Sequence, residues 1–446
     1  MRVVWFLIIV LAGAVAGALF TRFEGEPPSI RTRVDQTFVG REYQHDFTVS
    51  DAGMGVESVR IWLEGESGET ELFRRVYAGS LFSGAKLPTA QRVAVDIKPE
   101  ELGINQGRVS LIAEARDYSW RGNTHRVTVP ITIDTKAPRI GVRTGLTYVR
   151  RGGSEAVVYT LNEEAVKHGV EIGEHFSPGF VDPEDSKQFM ALYPFPPDTL
   201  PGVKPAVIAI DRAGNRSQAG ISISVIERGF PSDTINVTAG FLERKIPEIL
   251  GGEHDDLVAA YLKVNREMRK ENGDFIKKLC EKSRDERLWR GAFLQLPNSN
   301  VGASFAERRT YIYNGKEIDR QTHMGYDLAS TAMADIPAAN SGVVVFADEL
   351  GIYGQTVIID HGQSLFSLYG HLSETLIEKG TLAAQGEPIG KTGTTGLAGG
   401  DHLHYAMIIA GQFVDPLEWF DERWIQEHIE PKLGKESEAE APASAD

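Results

Sequence analysis

The chain has 446 residues, of which 41% are hydrophobic and 24% charged, and its formal net charge at pH 7 is -15. This length exceeds one ordinary hydrophobic core, so about three domains are expected, and the composition is globular rather than disordered. The acidic balance argues against nucleic-acid binding, because neutralising phosphates requires a basic surface. Cys280 is the only cysteine, which excludes an intrachain disulfide and a thiolate zinc cluster. A metal site would therefore need nitrogen and oxygen ligands.

The N-terminal segment is strongly apolar. The run Val3–Phe20 contains no charged residue, and a helix rising about 1.5 Å per residue over this run would just cross a hydrocarbon core of roughly 30 Å. Ala16 and Ala18 also form an A-x-A pattern that a signal peptidase could cleave. Residues 1–22 are thus predicted to be a transmembrane anchor or a signal segment, and both alternatives export the rest of the chain.

Short runs of alternating apolar and polar residues follow, such as QRVAVDI, and they indicate β-strands separated by glycine-containing turns. They predict a β-sandwich over residues 28–135. The segments 112–134 and 207–227 share a strand that ends in aspartate, a turn with Gly-Asn and a further alternating strand, which predicts a second sandwich over 136–228. The pattern is similar to bacterial immunoglobulin-like modules. We interpret both sandwiches as spacers, with a wall-binding or protein-binding role as the alternative.

The pattern then changes to helical spacing. Leu257 and Tyr261 stand four positions apart within an apolar stripe, and Asp256 favours a helix start just before it. Residues 235–290 are predicted to be a helical connector, with Gly273 as one of the breaks between its helices. A regulatory arm that covers an active site is the alternative interpretation of this segment.

Strand patterns return after residue 291, for example in QTVIIDHG and HLHYAMIIAGQFVDP. The chain is therefore predicted to be mainly β, with two tandem β-sandwich domains, a short helical segment and a C-terminal antiparallel β-sheet domain over 291–425. The acidic tail 434–446 has no apolar periodicity and is expected to be disordered.

Histidines are concentrated in this C-terminal segment, where five of the eleven fall within less than about a fifth of the chain. His402 and His404 lie two positions apart at a strand-like segment, so their side chains point to the same face. His323 and Asp327 are four apart and share one side of a strand or a helix. His371 follows a run rich in β-branched and aromatic residues. Together these side chains could form a metal site or an acid–base site.

Three short motifs occur in a characteristic order: His-x-x-x-Asp, then Tyr-Gly-His-Leu-Ser, then His-Leu-His after GKTGTTGLAGG. This order resembles the lysostaphin-type (LytM-like) zinc metallopeptidases, which cut bacterial peptidoglycan, and the resemblance covers less than about a third of the chain. It implies that His323, Asp327 and His404 bind one zinc ion. It likewise implies that His371 and His402 are the catalytic histidines and do not bind the metal.

The chemistry of such a site agrees with the resemblance. Three protein ligands leave a fourth position for water, as in catalytic zinc sites, and zinc lowers the pKa of that water to about 7. The resemblance implies a zinc endopeptidase that hydrolyses a stem-peptide or cross-bridge bond, with either His371 or His402 as general base. The alternatives are a non-hydrolytic protein of the same fold that binds peptidoglycan or activates a wall enzyme, an adhesion protein, and a peptidase that acts on proteins.

The resemblance and the apolar N-terminus together predict a location in the bacterial cell envelope. The chain would be anchored in the inner (cytoplasmic) membrane, with the catalytic domain in the periplasm. Its expected partners are peptidoglycan, the membrane through the N-terminal helix, and regulatory envelope proteins, but not nucleic acid.

Four further residues near the motifs have weaker signals. His361 is expected to support the site without binding the metal, and His428 is expected to lie on the surface. Arg308 and Arg309 either support the site or a substrate carboxylate, or form surface pairs.

Overall fold

The computed structural model of the protein is mainly β, which confirms the predicted fold class. The chain divides into two compact units, residues 1–138 with 210–216, and residues 139–209 with 217–446. The tail predicted to be disordered lies outside the described residues. The structure describes residues 2–23, 25–34, 37–66, 68–80, 84–85, 90–183 and 185–432.

The apolar N-terminal segment forms a helix, α1 (Arg2–Arg22). Within the described part of the chain, none of the helices has both the length and the apolar character needed to cross a membrane. The transmembrane anchor predicted for residues 1–22 is therefore not confirmed.

The first unit contains two β-sheets with the strand orders β1-β3-β8 and β2-β10-β9-β4-β5, and a short β6-β7 hairpin. Its strands are β1 (Ser29–Thr32), β2 (Phe38–Val39), β3 (Tyr43–Ser50), β4 (Val56–Gly65), β5 (Gly68–Val76), β6 (Gly79–Ser80), β7 (Gly84–Ala85), β8 (Ala90–Ile97), β9 (Gly107–Asp117) and β10 (Thr124–Ile133). Phe47 of the first sheet and Ile61 and Ile131 of the second belong to one buried core. The two sheets therefore pack as a sandwich, whereas the likeness to immunoglobulin domains stays a prediction.

The second unit begins with another pair of sheets, ordered β11-β13-β17-β16 and β15-β14-β18-β19, and a β12-β20 pair. Its first strands are β11 (Ile140–Val142), β12 (Thr147–Arg150), β13 (Ser154–Leu161), β14 (Lys167–Ile172), β15 (His175–Pro178), β16 (Phe180–Val181), β17 (Gln188–Pro194), β18 (Ala206–Ile210), β19 (Arg216–Gly220) and β20 (Ile223–Ile226). Val157 of one sheet and Val170 and Val207 of the other share a buried core. These sheets form the second predicted sandwich.

The turns that suggested a repeat have the same hydrogen bonds. Asn123 Nδ2 donates to Asp117 Oδ2 over 2.9 Å, and Asn215 Nδ2 donates to Asp211 Oδ2 over 2.8 Å. In both turns the aspartate N–H also donates to the asparagine carbonyl. The shared Asp–Asn pair explains why the two segments resemble each other in sequence.

The helical segment consists of α2 (Ala239–Leu250), α3 (Leu257–Lys263), a π-helical turn (Val264–Met268) and α4 (Arg269–Leu279). Asp256 caps α3, because its side chain accepts from the N–H groups of Val258 and Ala259. The predicted break at Gly273 is wrong, since this glycine lies inside α4. Glycine costs a helix only about 1 kcal/mol, and tertiary packing of the neighbouring Asn272 and Ile276, both buried, outweighs that preference.

The C-terminal strands are β21 (Ser232–Val237), β22 (Asn300–Ala303), β23 (Glu307–Tyr313), β24 (Lys316–His323), β25 (Tyr326–Ala329), β26 (Asp335–Pro337), β27 (Gly342–Glu349), β28 (Gln355–Asp360), β29 (Leu365–Leu372), β30 (Glu374–Thr375), β31 (Leu382–Ala383), β32 (Pro388–Lys391), β33 (Leu403–Ile409) and β34 (Gln412–Val414). The main sheet has the order β22-β25-β33-β29-β28-β27-β31, and β34 pairs with β33. All of these pairs are antiparallel, as predicted. Two smaller sheets have the orders β21-β23-β24 and β26-β32-β30. The remaining helical pieces are Gly351–Tyr353, α5 (Pro416–Phe420), α6 (Glu422–Trp424), Ile425–Ile429 and Glu430–Lys432.

The segment predicted as a helical connector over 235–290 begins as a strand. β21 runs through Val237 and pairs in parallel with β23, with Ile235 opposite Tyr311. The helices are thus an insertion between two strands of one sheet rather than a link between two domains. A pairing partner more than 70 residues away, as the numbering shows, leaves no signal in local periodicity.

Both faces of the main sheet are covered. Val357 and Ile359 of β28 pack into a core that contains Trp419, whereas Ile358 packs into a core that contains Ile246 of α2. Burial on both faces explains why the strands read as nearly continuous apolar runs. It also packs α2 of the helical segment against the main sheet.

Candidate metal centre and catalytic histidines

Four strands, β24, β25, β29 and β33, hold His323, Asp327, His371 and His404, and His402 directly precedes β33. β24 ends at His323, and β25 begins after a two-residue connection and presents Asp327. Asp327 lies directly opposite His404 of β33, and His404 lies opposite Gly370, next to His371. Antiparallel register therefore brings side chains that are far apart in the chain to one place.

The three predicted metal ligands, His323, Asp327 and His404, converge and form one cluster. His323 Nε2 is 2.9 Å from Asp327 Oδ1 and 3.0 Å from His404 Nδ1, and His404 Nδ1 is 3.0 Å from Asp327 Oδ1. Each of the three residues offers one donor atom to a common point. This is the nitrogen and oxygen donor set that zinc accepts.

The hydrogen bond of His323 outside the cluster leaves its Nε2 without a proton. His323 Nδ1 donates to the carbonyl of Ser304 over 3.1 Å, so its Nε2 carries a lone pair toward the cluster. His404 Nε2 is buried and has no hydrogen-bond partner among the described residues, which leaves Nδ1 as the atom through which this ring interacts. Lone pairs this close repel one another unless a cation lies between them, so the residues fit a divalent metal.

Charge in the cluster also suits a cation. Burial alone would raise the pKa of Asp327, but His323, His402 and His404 hold it well below its usual value. Burial lowers the pKa of His404 to about 4, against the opposing effect of the carboxylate. The site thus presents an ionised carboxylate and a neutral imidazole, the forms in which these side chains bind metals.

Gly325 leaves room for the cluster. A Cβ atom at this position would lie 2.6 Å from the carbonyl oxygen of Tyr405 and 2.7 Å from Cε1 of His404. No side chain fits between β25 and the imidazole without displacing one of them. The glycine in the His-Met-Gly-Tyr-Asp segment is therefore required by the close approach of the His404 ring.

We expect Gly325→Ala to weaken zinc binding and to lower the free energy of unfolding by about 1–3 kcal/mol, because the added methyl group overpacks the site. Denaturant unfolding with and without zinc measures both effects. Gly229→Ala is the matched control, since a Cβ there has no neighbour within 4 Å. Equal stability of the two variants would contradict this role of Gly325.

The two predicted catalytic histidines lie beside the cluster, with ring centroids 4.8 Å apart. His371 Nδ1 donates to the carbonyl of Thr395 over 2.9 Å, and His402 Nδ1 donates to that of Gly400 over 2.8 Å. In both rings the proton on Nδ1 leaves Nε2 available for proton transfer. His402 Nε2 lies 3.5 Å from Asp327 Oδ1.

The environments of these two histidines differ. Burial and the neighbouring imidazoles lower the pKa of His371 well below its usual value. Burial also disfavours the charged form of His402, but its interaction with Asp327 prevails and raises its pKa. His371 further has φ 66°, a left-handed conformation that costs a residue with a side chain roughly 1–3 kcal/mol and is enriched at functional sites.

Arg309 supports the cluster from outside it. Its Nη2 donates to Asp327 Oδ2 over 2.8 Å, and its Nε donates to Glu307 Oε1 over 2.9 Å. The sequence left open whether Arg308 and Arg309 support the site or lie on the surface. The structure separates them, because Arg308 is exposed while Arg309 orients the carboxylate of Asp327.

We expect Arg309→Gln to weaken zinc binding by about 10–100-fold, because loss of an orienting partner frees the carboxylate to rotate and raises its pKa. Competition with a chromophoric chelator measures the affinity. Arg308→Gln removes the same charge one residue away and should leave the affinity unchanged. Equal effects of the two substitutions would point to net charge instead of orientation.

The other two histidines have structural contacts. His361 is fully buried, with Nδ1 2.8 Å from the Ser341 carbonyl and Nε2 2.7 Å from Ser367 Oγ, and burial lowers its pKa to about 4. His428, expected to lie on the surface, is partly exposed, with 27% of its side-chain area accessible, and it has contacts that were not predicted. Its Nδ1 is 3.1 Å from the buried carboxylate of Glu155, and its ring stacks on Trp424, a long-range pairing that the sequence does not reveal.

The cluster opens into a cavity of about 820 Å³. The five predicted residues line one wall. Side chains of the helical segment line another, and they were not predicted: Phe241, Arg244, Tyr261 and Arg269. Two of them are aromatic residues that also belong to the core of the helical segment, and the two arginines resemble those of a solvated helix face, so no sequence pattern distinguishes the four.

Comparison with known proteins agrees with this geometry. Residues 321–416 match the family described as peptidase family M23, and this range contains all five residues. These residues form an M23 peptidase domain. The matched range is the part of the chain that contains β25, β29 and β33.

Relatives of the M23 domain include enzymes and an activator. The peptidoglycan DD-endopeptidase ShyA of Vibrio cholerae is 28% identical over 161 residues, 36% of this chain and 34% of that protein. The murein hydrolase activator EnvC of Escherichia coli is 32% identical over 95 residues, 21% of this chain and 23% of that protein. The chain thus spans about a third or less of the length of these relatives. A solved candidate M23 peptidase of Pseudomonas aeruginosa is 21% identical, with a TM-score of 0.40, and covers 61% of this chain and 94% of its own.

Proposed function

We propose that this protein is a zinc-dependent endopeptidase that hydrolyses peptide bonds in bacterial peptidoglycan. The observation that carries the proposal is the convergence of His323, Asp327 and His404 on one point, with His371 and His402 beside them. The M23 domain and the similarity to a peptidoglycan endopeptidase support the reaction and the substrate class.

The chain's own residues divide the work of hydrolysis. A bound zinc ion would supply Lewis acidity and lower the pKa of a water molecule. His371, whose lowered pKa keeps it neutral, accepts the proton of the attacking water and passes it to the leaving amine nitrogen as the C–N bond breaks. His402, whose pKa is raised, donates a hydrogen bond to the oxygen on which negative charge develops.

The test is digestion of purified sacculi by the full-length protein. We expect release of soluble muropeptides that a chelator abolishes and added zinc restores. Mass spectrometry of the products identifies the bond cleaved, by the new amine and carboxylate termini. Intact sacculi after incubation with zinc-loaded, folded protein would reject the proposal.

A non-hydrolytic activator of another wall enzyme is the second candidate, and the similarity to EnvC supports it. Full-length protein with His404→Ala distinguishes the two, because an activator should still stimulate a second wall hydrolase without a metal site. A truncation that starts at residue 291 would be a poor test. It would remove β21 from the sheet that it forms with β23.

We propose further that the catalytic domain acts in the periplasm of the cell envelope, because peptidoglycan lies outside the cytoplasm. Attachment to the inner membrane through residues 1–22 stays a prediction from the apolar sequence. Cell fractionation locates the protein, and the mass of its N-terminal peptide shows whether the segment is removed. Recovery of the intact chain from the cytoplasm would contradict the proposal.

A further inference from the structure

The helical segment contributes positive charge to the active-site cavity. Arg244 of α2 and Arg269 of α4 line the same cavity as His371 and His402. The chain as a whole has a net charge of -15, so cations facing this cavity run against the general charge of the protein. The composition of the chain does not explain why these two cations face the cavity.

Neither arginine has an anionic partner among the described residues. Arg244 is exposed, and within the described part of the chain its side chain forms no hydrogen bond or ion pair. The guanidinium of Arg269 donates to two neutral oxygens of Asn265, the carbonyl over 3.2 Å and Oδ1 over 2.7 Å. Both charges are therefore uncompensated, unlike that of Arg309, which lies between two carboxylates.

Tyr353 lies near Arg269 and also near His404. Burial raises the pKa of Tyr353, and the nearby charge of Arg269 opposes that rise. The ring of Tyr353 lies 5.3 Å from that of His404. Arg269 therefore lines the same cavity as Tyr353, the neighbour of His404.

The four acidic residues that line the cavity have partners other than Arg244 and Arg269, and two of them, Glu307 and Asp327, pair with Arg309. Asp401 Oδ1 accepts from Thr392 Oγ1 over 2.6 Å, and Asp233 Oδ1 accepts from the N–H of Thr234 over 2.8 Å. The cavity therefore offers two available cations to a ligand. Guanidinium groups bind carboxylates through paired N–H donors, and such charged hydrogen bonds are among the strongest.

We propose that Arg244 and Arg269 bind a carboxylate of the peptide substrate and that the helical segment determines substrate specificity. The proposal rests on the proposed function, because a wall peptide with an acidic residue or a free C-terminus supplies the carboxylate. It gives the inserted helices a role beyond connection: they form the second wall of the cleft and select anionic peptides.

The test is equilibrium binding of a cross-linked wall peptide with free carboxylates and of the same peptide with its carboxylates converted to amides. The protein is the full-length, zinc-loaded chain with His371→Asn, which keeps the three candidate metal ligands and should not consume the peptide. We expect the free carboxylate form to bind about tenfold more tightly. Arg244→Gln should remove most of this preference.

Lys263→Gln is the matched control, since Lys263 is an exposed cation of α3 that does not line the cavity. Arg269→Lys tests the second site with its charge retained, because Arg269→Gln could disturb the contact with Asn265. We expect Arg269→Lys to weaken the preference partly. A preference that survives in Arg244→Gln, or that falls equally in Lys263→Gln, would overturn the proposal.

Hydrolysis by the chain with His371 intact is measured in parallel. Selective binding without cleavage would overturn the proposed reaction and leave the role of the arginines standing. Cleavage of both peptides without preference would overturn only the role of the arginines. Binding of neither peptide would overturn both.

Discussion

His404→Ala is expected to abolish zinc binding and hydrolysis together. The substitution removes one of three donor atoms that lie within 3.0 Å of each other, and two remaining ligands hold zinc poorly. Loss of a residue that only hydrogen-bonds to a metal ligand already costs about 10–100-fold in metal affinity. Loss of a ligand itself should therefore lower the zinc affinity by more than about 100-fold. Elemental analysis of the purified protein measures the zinc, and sacculus digestion measures the activity.

His254→Ala is the matched control for this experiment. His254 lies in the helical segment, and its Nε2 contacts only the nearby carbonyl of Gly251 over 3.0 Å among the described residues. This variant should keep one zinc ion per chain and full activity. Stoichiometric zinc in folded His404→Ala protein would show that the ligand assignment is wrong.

His371→Asn is expected to keep zinc and to lose catalysis, with kcat lower by about 10²–10⁴-fold, because a general base is removed while the ligands remain. Asparagine is chosen because His371 has φ 66°, and asparagine tolerates this conformation better than most residues. Its amide can also donate to the Thr395 carbonyl that now orients the imidazole. Steady-state kinetics on a soluble cross-linked peptide, with zinc content measured on the same sample, check the prediction.

Comparing the zinc affinity and kcat of His371→Asn with those of His404→Ala decides the role of His371. A base that does not bind the metal should change kcat with little change in zinc affinity, whereas a ligand changes both. His254→Asn controls for the loss of an imidazole elsewhere in the chain. If His371→Asn lost zinc as fully as His404→Ala, His371 would belong to the ligand set and the proposed division of roles would fall.

Much of this site could be predicted from the residues alone. The spacing of the residues carried the information. His323 and Asp327 are four positions apart, so their side chains lie on one side of the segment. His402 and His404 are two positions apart, so their side chains lie on one face of a strand. Residue type carried the rest, because a chain with the single cysteine Cys280 can hold zinc only through nitrogen and oxygen. The structure brings these residues together where the motifs indicated.

Local patterns failed where distant segments meet. The helical connector predicted over 235–290 begins inside strand β21, because the partner strand β23 follows the whole helical insertion and leaves no local signal. Gly273 remains helical because Asn272 and Ile276 are buried beside it. His428 is paired with the buried carboxylate of Glu155, which lies in the second sandwich, far from His428 in the sequence.

Sequence by itself determined the chemistry of this protein, that is, which side chains can bind a metal, move a proton and alternate along a strand. Tertiary structure alone decided what surrounds that chemistry: that Arg309 and not Arg308 orients Asp327, and that Arg244 and Arg269 face the cavity. The reason is physical. Donor type and spacing are properties of the local chain, whereas burial, charge compensation and the walls of a cavity arise only from contacts between segments far apart in it.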